Sequence, residues 1–148
     1  MEFFAKTFDE LTTKELYEIL KSRSQIFTIE QNIHCQDMDD IDYNSLHCYI
    51  MDDNKVVAYL RAFSQDDNKY IVRVGRVLTL VHGNGLGKEL MQKMIEEGYQ
   101  VYASTPFDDN IEDLKEIGVS LIETPINRRG MNPVKDFGLL VTYFKMIK

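Results

Sequence analysis

Two rhythms of apolar positions run along this chain. Residues 3–8 alternate loosely and predict a short first strand, after which Asp9 or Thr12 can cap a helix. Leu11, Leu16, Ile19, Leu20, Ile26 and Phe27 then recur at helical spacing. That predicts one helix, or two short ones, over residues 13–30, with this face in the core. Residues 31–46, QNIHCQDMDDIDYNSL, carry neither rhythm, and an irregular segment of that length in a small domain is expected to line a site. Strand patterning returns at 46–51 and 55–62, joined by the polar turn Asp52, Asp53, Asn54, and again at 70–80 after the connection SQDDNK.

The stretch RVLTLVHGNGLGKELMQK, from Arg76 to Lys93, joins the end of that third strand to a helix through a glycine-rich turn. Leu90, Met91, Met94 and Ile95 form the buried stripe of the helix, which Gly98 ends. Residues 99–104 read as a strand, and Pro106 with Asp108 and Asp109 starts a helix that runs to Ile117 and stops at Gly118. Residues 119–124 and 138–147 read as a last antiparallel pair, joined by a loop containing Pro125, Arg128, Arg129, Gly130 and Pro133. No repeat, low-complexity tract or second domain interrupts this order, so residues 1–148 are expected to form a single domain.

Composition narrows the class. The chain is 44% apolar and 28% charged, a globular balance, and at 148 residues it can bury about two thirds of its unfolded surface without a staple. Cys35 and Cys48 are too few for a disulfide framework, and no paired Cys/His spacing suggests a metal site. A net charge of −7 argues against a nucleic-acid partner and suits a cationic one such as an amine. No run reaches membrane-spanning length, and MEFFAKTFDEL lacks the basic flank and apolar core of a signal peptide, so the cytoplasm is expected.

The turn carries the most chemistry. Gly83, Gly85 and Gly87 let the backbone take positive φ, and the helix behind them presents unpaired N–H groups with the positive end of its dipole, the device that holds phosphate. Glycines at this spacing also occur in ordinary strand-to-helix connections. Glu89 after Lys88 excludes the Walker pattern, and the one-residue glycine spacing does not fit the dinucleotide fingerprint. The acids Asp37, Asp39, Asp40 and Asp42 alternate, but a calcium loop would need a sixth-position Gly and a twelfth-position Glu.

With His82 at its first position, Gly85 at its fourth and Gly87 at its sixth, the turn resembles the acetyl-CoA loop of the GNAT N-acetyltransferases. RSQIFTIEQ from Arg23, QDMDDID from Gln36, His47, VVAYLR from Val56 and GRV from Gly75 are similar to the ElaA-like branch of that superfamily. The resemblance implies an α/β (α+β) fold with a mixed, splayed central sheet of six to seven strands and helices on both faces. It further implies acetyl transfer from acetyl-CoA to a primary amine by direct attack. On this reading Val77, Leu78 and Thr79 would pair with the pantetheine arm, and His82, Gly83, Asn84, Gly85, Leu86, Gly87 and Lys88 would hold the pyrophosphate. Arg23, Glu30, Asp37, Asp39 and Asp42 are the expected amine-binding groups, and His47 and Tyr102 the expected proton-transfer groups; Leu114 stands where the family often has a tyrosine acid. A small-molecule or peptide amine is the expected partner, with room for a homodimer. Two other functions fit the same residues: a GNAT-like domain that binds acyl-CoA or a protein without turnover, and a relative of the acyl-homoserine-lactone synthases. The missing tryptophan argues against the latter.

Overall fold

Alternation along the middle strands sets the architecture. In β2 (Leu46–Asp52) and β3 (Lys55–Ser64), Cys48, Ile50, Ala58 and Leu60 point to one face, and Tyr49 and Tyr59 to the other. Both sets are buried, so the sheet must be covered twice. Helix α1 (Thr13–Arg23) and the turns after it bring Ile19 and Ile26 onto the tyrosine face, while α2 (Leu86–Glu96) lays Leu86, Leu90, Met91 and Met94 on the other. Leu90 and Met94 are fully buried, each worth about 1.5–3 kcal/mol of transfer free energy.

The computed structural model describes residues 1–64, 71–104, 115–122 and 141–146. Within them the remaining strands are β1 (Glu2–Thr7), β4 (Ile71–Thr79), β5 (Tyr99–Ser104), β6 (Ser120–Ile122) and β7 (Val141–Met146). Their order across the sheet is β1-β2-β3-β4-β7-β5-β6. The β5–β6 pair is parallel and the other pairs are antiparallel, so the sheet is mixed, as expected. One expectation is corrected: β6 and β7 are not partners. β7 pairs with both β4 and β5, and β6 lies outside β5. Apolar alternation fixes which face a strand buries but not which neighbour it takes. The expected helix over 106–117 and the loop with Arg128 and Arg129 fall mostly outside the described residues, as does Leu114. Among those described, no helix is long and apolar enough to cross a membrane.

Thr12, not Asp9, caps α1. The Glu15 amide donates to Thr12 Oγ1 (3.2 Å), and the Thr12 amide and hydroxyl both donate to Glu15 Oε2 (2.8 Å each). Partial burial works against the Glu15 charge, but Lys6 at 2.8 Å and the Thr12 donors overcome it and hold the pKa at about 2. After Arg23 the helix widens into a π-helical turn over Ser24–Glu30, which Gln31 closes by donating to the Ile26 carbonyl at 2.9 Å.

Candidate active site

β4 pairs with β3 from Val72 to Thr79, across one irregularity. Its ladder to β7 covers Ile71, Val72 and Arg73 and stops there, so from Val74 to Thr79 the edge away from β3 carries no ladder among the described residues. Along that stretch the strand also bulges. Tyr59 lies opposite Leu78 and Arg61 opposite Gly75, so Leu60 faces two residues, Arg76 and Val77, and Arg76 takes φ +56°. Val77, Leu78 and Thr79, expected to hold the pantetheine arm, sit on the open part.

The open edge runs into the glycine turn. Residues 81–85 are all exposed, Gly83 and Gly85 have φ +78° and +71°, and a Cβ on either would meet nothing within 4 Å. The bend at Asn84 is therefore open to a ligand, and its glycines answer a backbone demand rather than crowding. The first bond of α2 runs from the Glu89 amide to the Gly85 carbonyl (2.9 Å). The amides of Leu86 and Gly87 precede it, at the positive end of the helix dipole. Left-handed glycines in open space and helix-start amides make a cradle that fits a diphosphate. Lys88 lies 3.7 Å from Glu116, and exposed His82 places Nε2 3.2 Å from Glu30 Oε2.

The acidic loop is spent differently. Arg23 is fully buried and donates from Nε to Asp37 Oδ2 (2.8 Å), from Nη2 to the Asp37 carbonyl (2.8 Å) and from Nη1 to Asp42 Oδ1 (2.7 Å). Arg61, 2% exposed in the middle of β3, donates to Asp39 Oδ1 (2.6 Å) and Oδ2 (3.0 Å) and to Asp42 Oδ1 (2.9 Å). Arg76 completes the set through Asp37 and Asp39. Three guanidinium groups thus meet three carboxylates, and the local charge is balanced. Arg61 holds Asp39 below the usual carboxylate range; burial works against Asp42, but Arg23 and Arg61 outweigh it and lower that group too. Of the residues expected to bind the amine, Arg23, Asp37 and Asp42 are occupied with one another. Asp39 keeps a side chain 28% exposed, and Glu30 one 38% exposed.

His47 is placed inward rather than at a cleft. It is fully buried, with Nε2 2.9 Å from the Asp42 carbonyl and Nδ1 2.8 Å from Tyr59 Oη. A carbonyl only accepts, so Nε2–H donates to it and the Tyr59 hydroxyl donates to Nδ1 of the neutral ring. Burial lowers the His47 pKa. Expected as a proton acceptor, it has no free nitrogen, because β2 needed a polar partner for the loop behind it. Tyr102 is aligned through β7 with Arg73, since both face Tyr143. Along the parallel strands β4 and β5 that is four residues short of Val77, about 13 Å.

Sequence reasoning missed Arg61 and Arg76 as members of the network. The available signal was an arginine inside the buried run VVAYLRAF, which requires a carboxylate from elsewhere in the chain. A depression of about 600 Å³ lined by Phe4, Thr12, Glu15, Met51 and Asp52 among others shares no residue with the glycine turn or the acidic loop.

Residues 13–110 match the family model described as "Acetyltransferase (GNAT) family". The chain belongs to the GNAT family. A UPF0039 protein of Schizosaccharomyces pombe is 34% identical over 108 residues, 71% of each chain. Protein ElaA of Escherichia coli is 34% identical over 91 residues, which span 59% of this chain and 60% of ElaA. The ElaA crystal structure superposes with a TM-score of 0.64 over 98% of this chain and 99% of ElaA, at 23% identity. An acyl-CoA N-acyltransferase from Pseudomonas aeruginosa gives 0.59 at 28% identity, over 68% of this chain and 77% of that one. The chain thus sits in the ElaA-like branch of the GNAT family, and its fold is the GNAT fold.

Proposed function

We propose that this GNAT protein moves the acetyl group of acetyl-CoA to a primary amine. The observation that carries the reading is the continuity between the β4 edge that carries no ladder among the described residues and the exposed glycine turn. A strand edge beside Val77, Leu78 and Thr79 offers main-chain donors and acceptors to the amide-bearing arm of the cofactor, and the turn from Gly83 to Lys88 offers amides to its diphosphate. The cofactor supplies an activated thioester, and the protein's part is to hold and orient it. Glu30, partly exposed and outside the arginine network, is the carboxylate expected to attract a cationic acceptor. His47 holds the acidic loop to β2 in this account and does not take the amine proton. Membership of the GNAT family supports acyl transfer as a class; the acetyl group, the primary amine and a cytoplasmic setting are proposed beyond it.

The test is thiol release from acetyl-CoA against a panel of primary amines, with product mass confirming the acylated amine. A second reading has a specific observation in its favour: both ring nitrogens of His47 are bonded within the core, and Tyr102 stands four residues short of Val77 in strand register. It holds that the domain binds acyl-CoA without turnover. Firm acetyl-CoA binding with silence across the whole panel would select it.

A further inference from the structure

Arg76 has a backbone conformation that sterics disfavour. Its φ of +56° belongs to the left-handed region, while the preceding Gly75, which could adopt that region freely, does not. Such a residue persists where its surroundings over-determine it. Here Arg76 Nε donates to Asp37 Oδ1 at 2.6 Å, and Nη2 donates to the Asp37 carbonyl at 3.0 Å and to Asp39 Oδ2 at 3.2 Å. The guanidinium also lies 6.0 Å from the centre of the Phe27 ring. Asp37 is in turn fixed by Arg23, at the end of α1, and Asp39 by Arg61 of β3. The bulge is thus tied from the side chain outward to a loop that the core already holds.

We propose that Arg76 is a positioning residue for the donor edge: its ties to Asp37 and Asp39 hold the β4 bulge, and so fix how the main chain of Val77, Leu78 and Thr79 is presented. The functional consequence rests on the acyl-CoA reading above; the mechanical part does not. Because Asp37 and Asp39 keep Arg23 and Arg61 when Arg76 is lost, substitutions at this 26%-exposed side chain leave the rest of the network in place.

The test compares wild type with Arg76→Ala, Arg76→Gly and Arg76→Lys, by exchange in the free protein of the Leu78 and Leu80 amides, which point to β3, and by calorimetric titration with acetyl-CoA. Thermal midpoints are measured alongside. Arg76→Ala should exchange faster at these two amides and bind acetyl-CoA about fivefold more weakly, the worth of one neutral hydrogen bond. Arg76→Gly, which accepts positive φ without strain, should still exchange faster because the ties are gone. Arg76→Lys should restore much of the affinity, since an ammonium still reaches a carboxylate. Unchanged exchange in Arg76→Ala would overturn the proposal, whatever the cofactor does. A weakened affinity that lysine does not rescue, and that only tracks the thermal midpoint across the series, would also overturn it by making Arg76 an ordinary staple. A wild-type protein that ignores acetyl-CoA would instead sink the acyl-CoA reading, and exchange alone would decide the mechanical claim. Should Arg76→Ala not fold, Arg76→Gln is read in its place.

Discussion

Replacing Asp42 by alanine removes the carboxylate on which two buried arginines converge. Its Oδ1 accepts from Arg23 Nη1 at 2.7 Å and from Arg61 Nη1 at 2.9 Å, and both arginines are almost wholly enclosed. Breaking a buried ion pair from one side costs about 3–5 kcal/mol, because the remaining charge stays desolvated and unpaired. Two charges are affected here, but each keeps a second partner: Arg23 has Asp37 and Arg61 has Asp39. The lower end, about 3 kcal/mol, is therefore expected. For a urea slope of about 2 kcal/mol/M this moves the unfolding midpoint down by about 1.5 M, with the slope unchanged. Asp42→Asn keeps the shape and a neutral acceptor, and should cost about half as much. The exposed pair Lys93–Glu96 serves as the control, and Glu96→Ala should leave the midpoint where it is. A loss below about 1 kcal/mol in Asp42→Ala would refute the claim that these guanidinium groups depend on this carboxylate.

Acid should destabilise the fold in two stages. His47 has a folded pKa below its ordinary 6.5, so its contribution is complete above pH 6.5 and declines as pH falls below that value, where the unfolded chain takes a proton the buried ring refuses. Asp39 and Asp42 have folded pKa values below the ordinary 3.8, so their contribution is present above 3.8 and is lost as pH falls further. Urea midpoints measured against pH should show both stages, and His47→Gln should abolish the first alone. Thr12→Ala should remove about 1 kcal/mol by leaving the Glu15 amide of α1 without its cap, read as a midpoint shift that Thr12→Ser largely restores.

Much of the fold was legible because the chain obeys simple periodicities. β5 begins and ends where its pattern predicted, and the burial of Cys48 and Ile50 on one face and Tyr49 on the other matches the cover on both faces that the family resemblance implied. The place of β7 was not legible, since an apolar strand does not declare its neighbours, and neither was the bulge at Arg76, which nothing in a local pattern marks. At the turn, Gly83 and Gly85 take the positive φ expected of them in an exposed bend, whereas Gly87 lies inside α2 and does not. The acids misled in part. Asp37 and Asp42 read as ligands for a cation, and the cations they hold are arginines of the same chain, distant by 14 to 39 residues. His47 misled for the same reason, because its two partners come from Asp42 and Tyr59, and only folding brings them there.

The central claim is that the bend after β4 receives the diphosphate of an acyl-CoA, and calorimetric titration with acetyl-CoA of the wild type against Gly85→Asp tests it most directly. The account predicts saturable one-to-one binding to the wild type and loss of that binding in the variant, where a carboxylate and a strained φ of +71° would occupy the cradle. No heat of binding with the wild type, or equal affinity for both proteins, would contradict it.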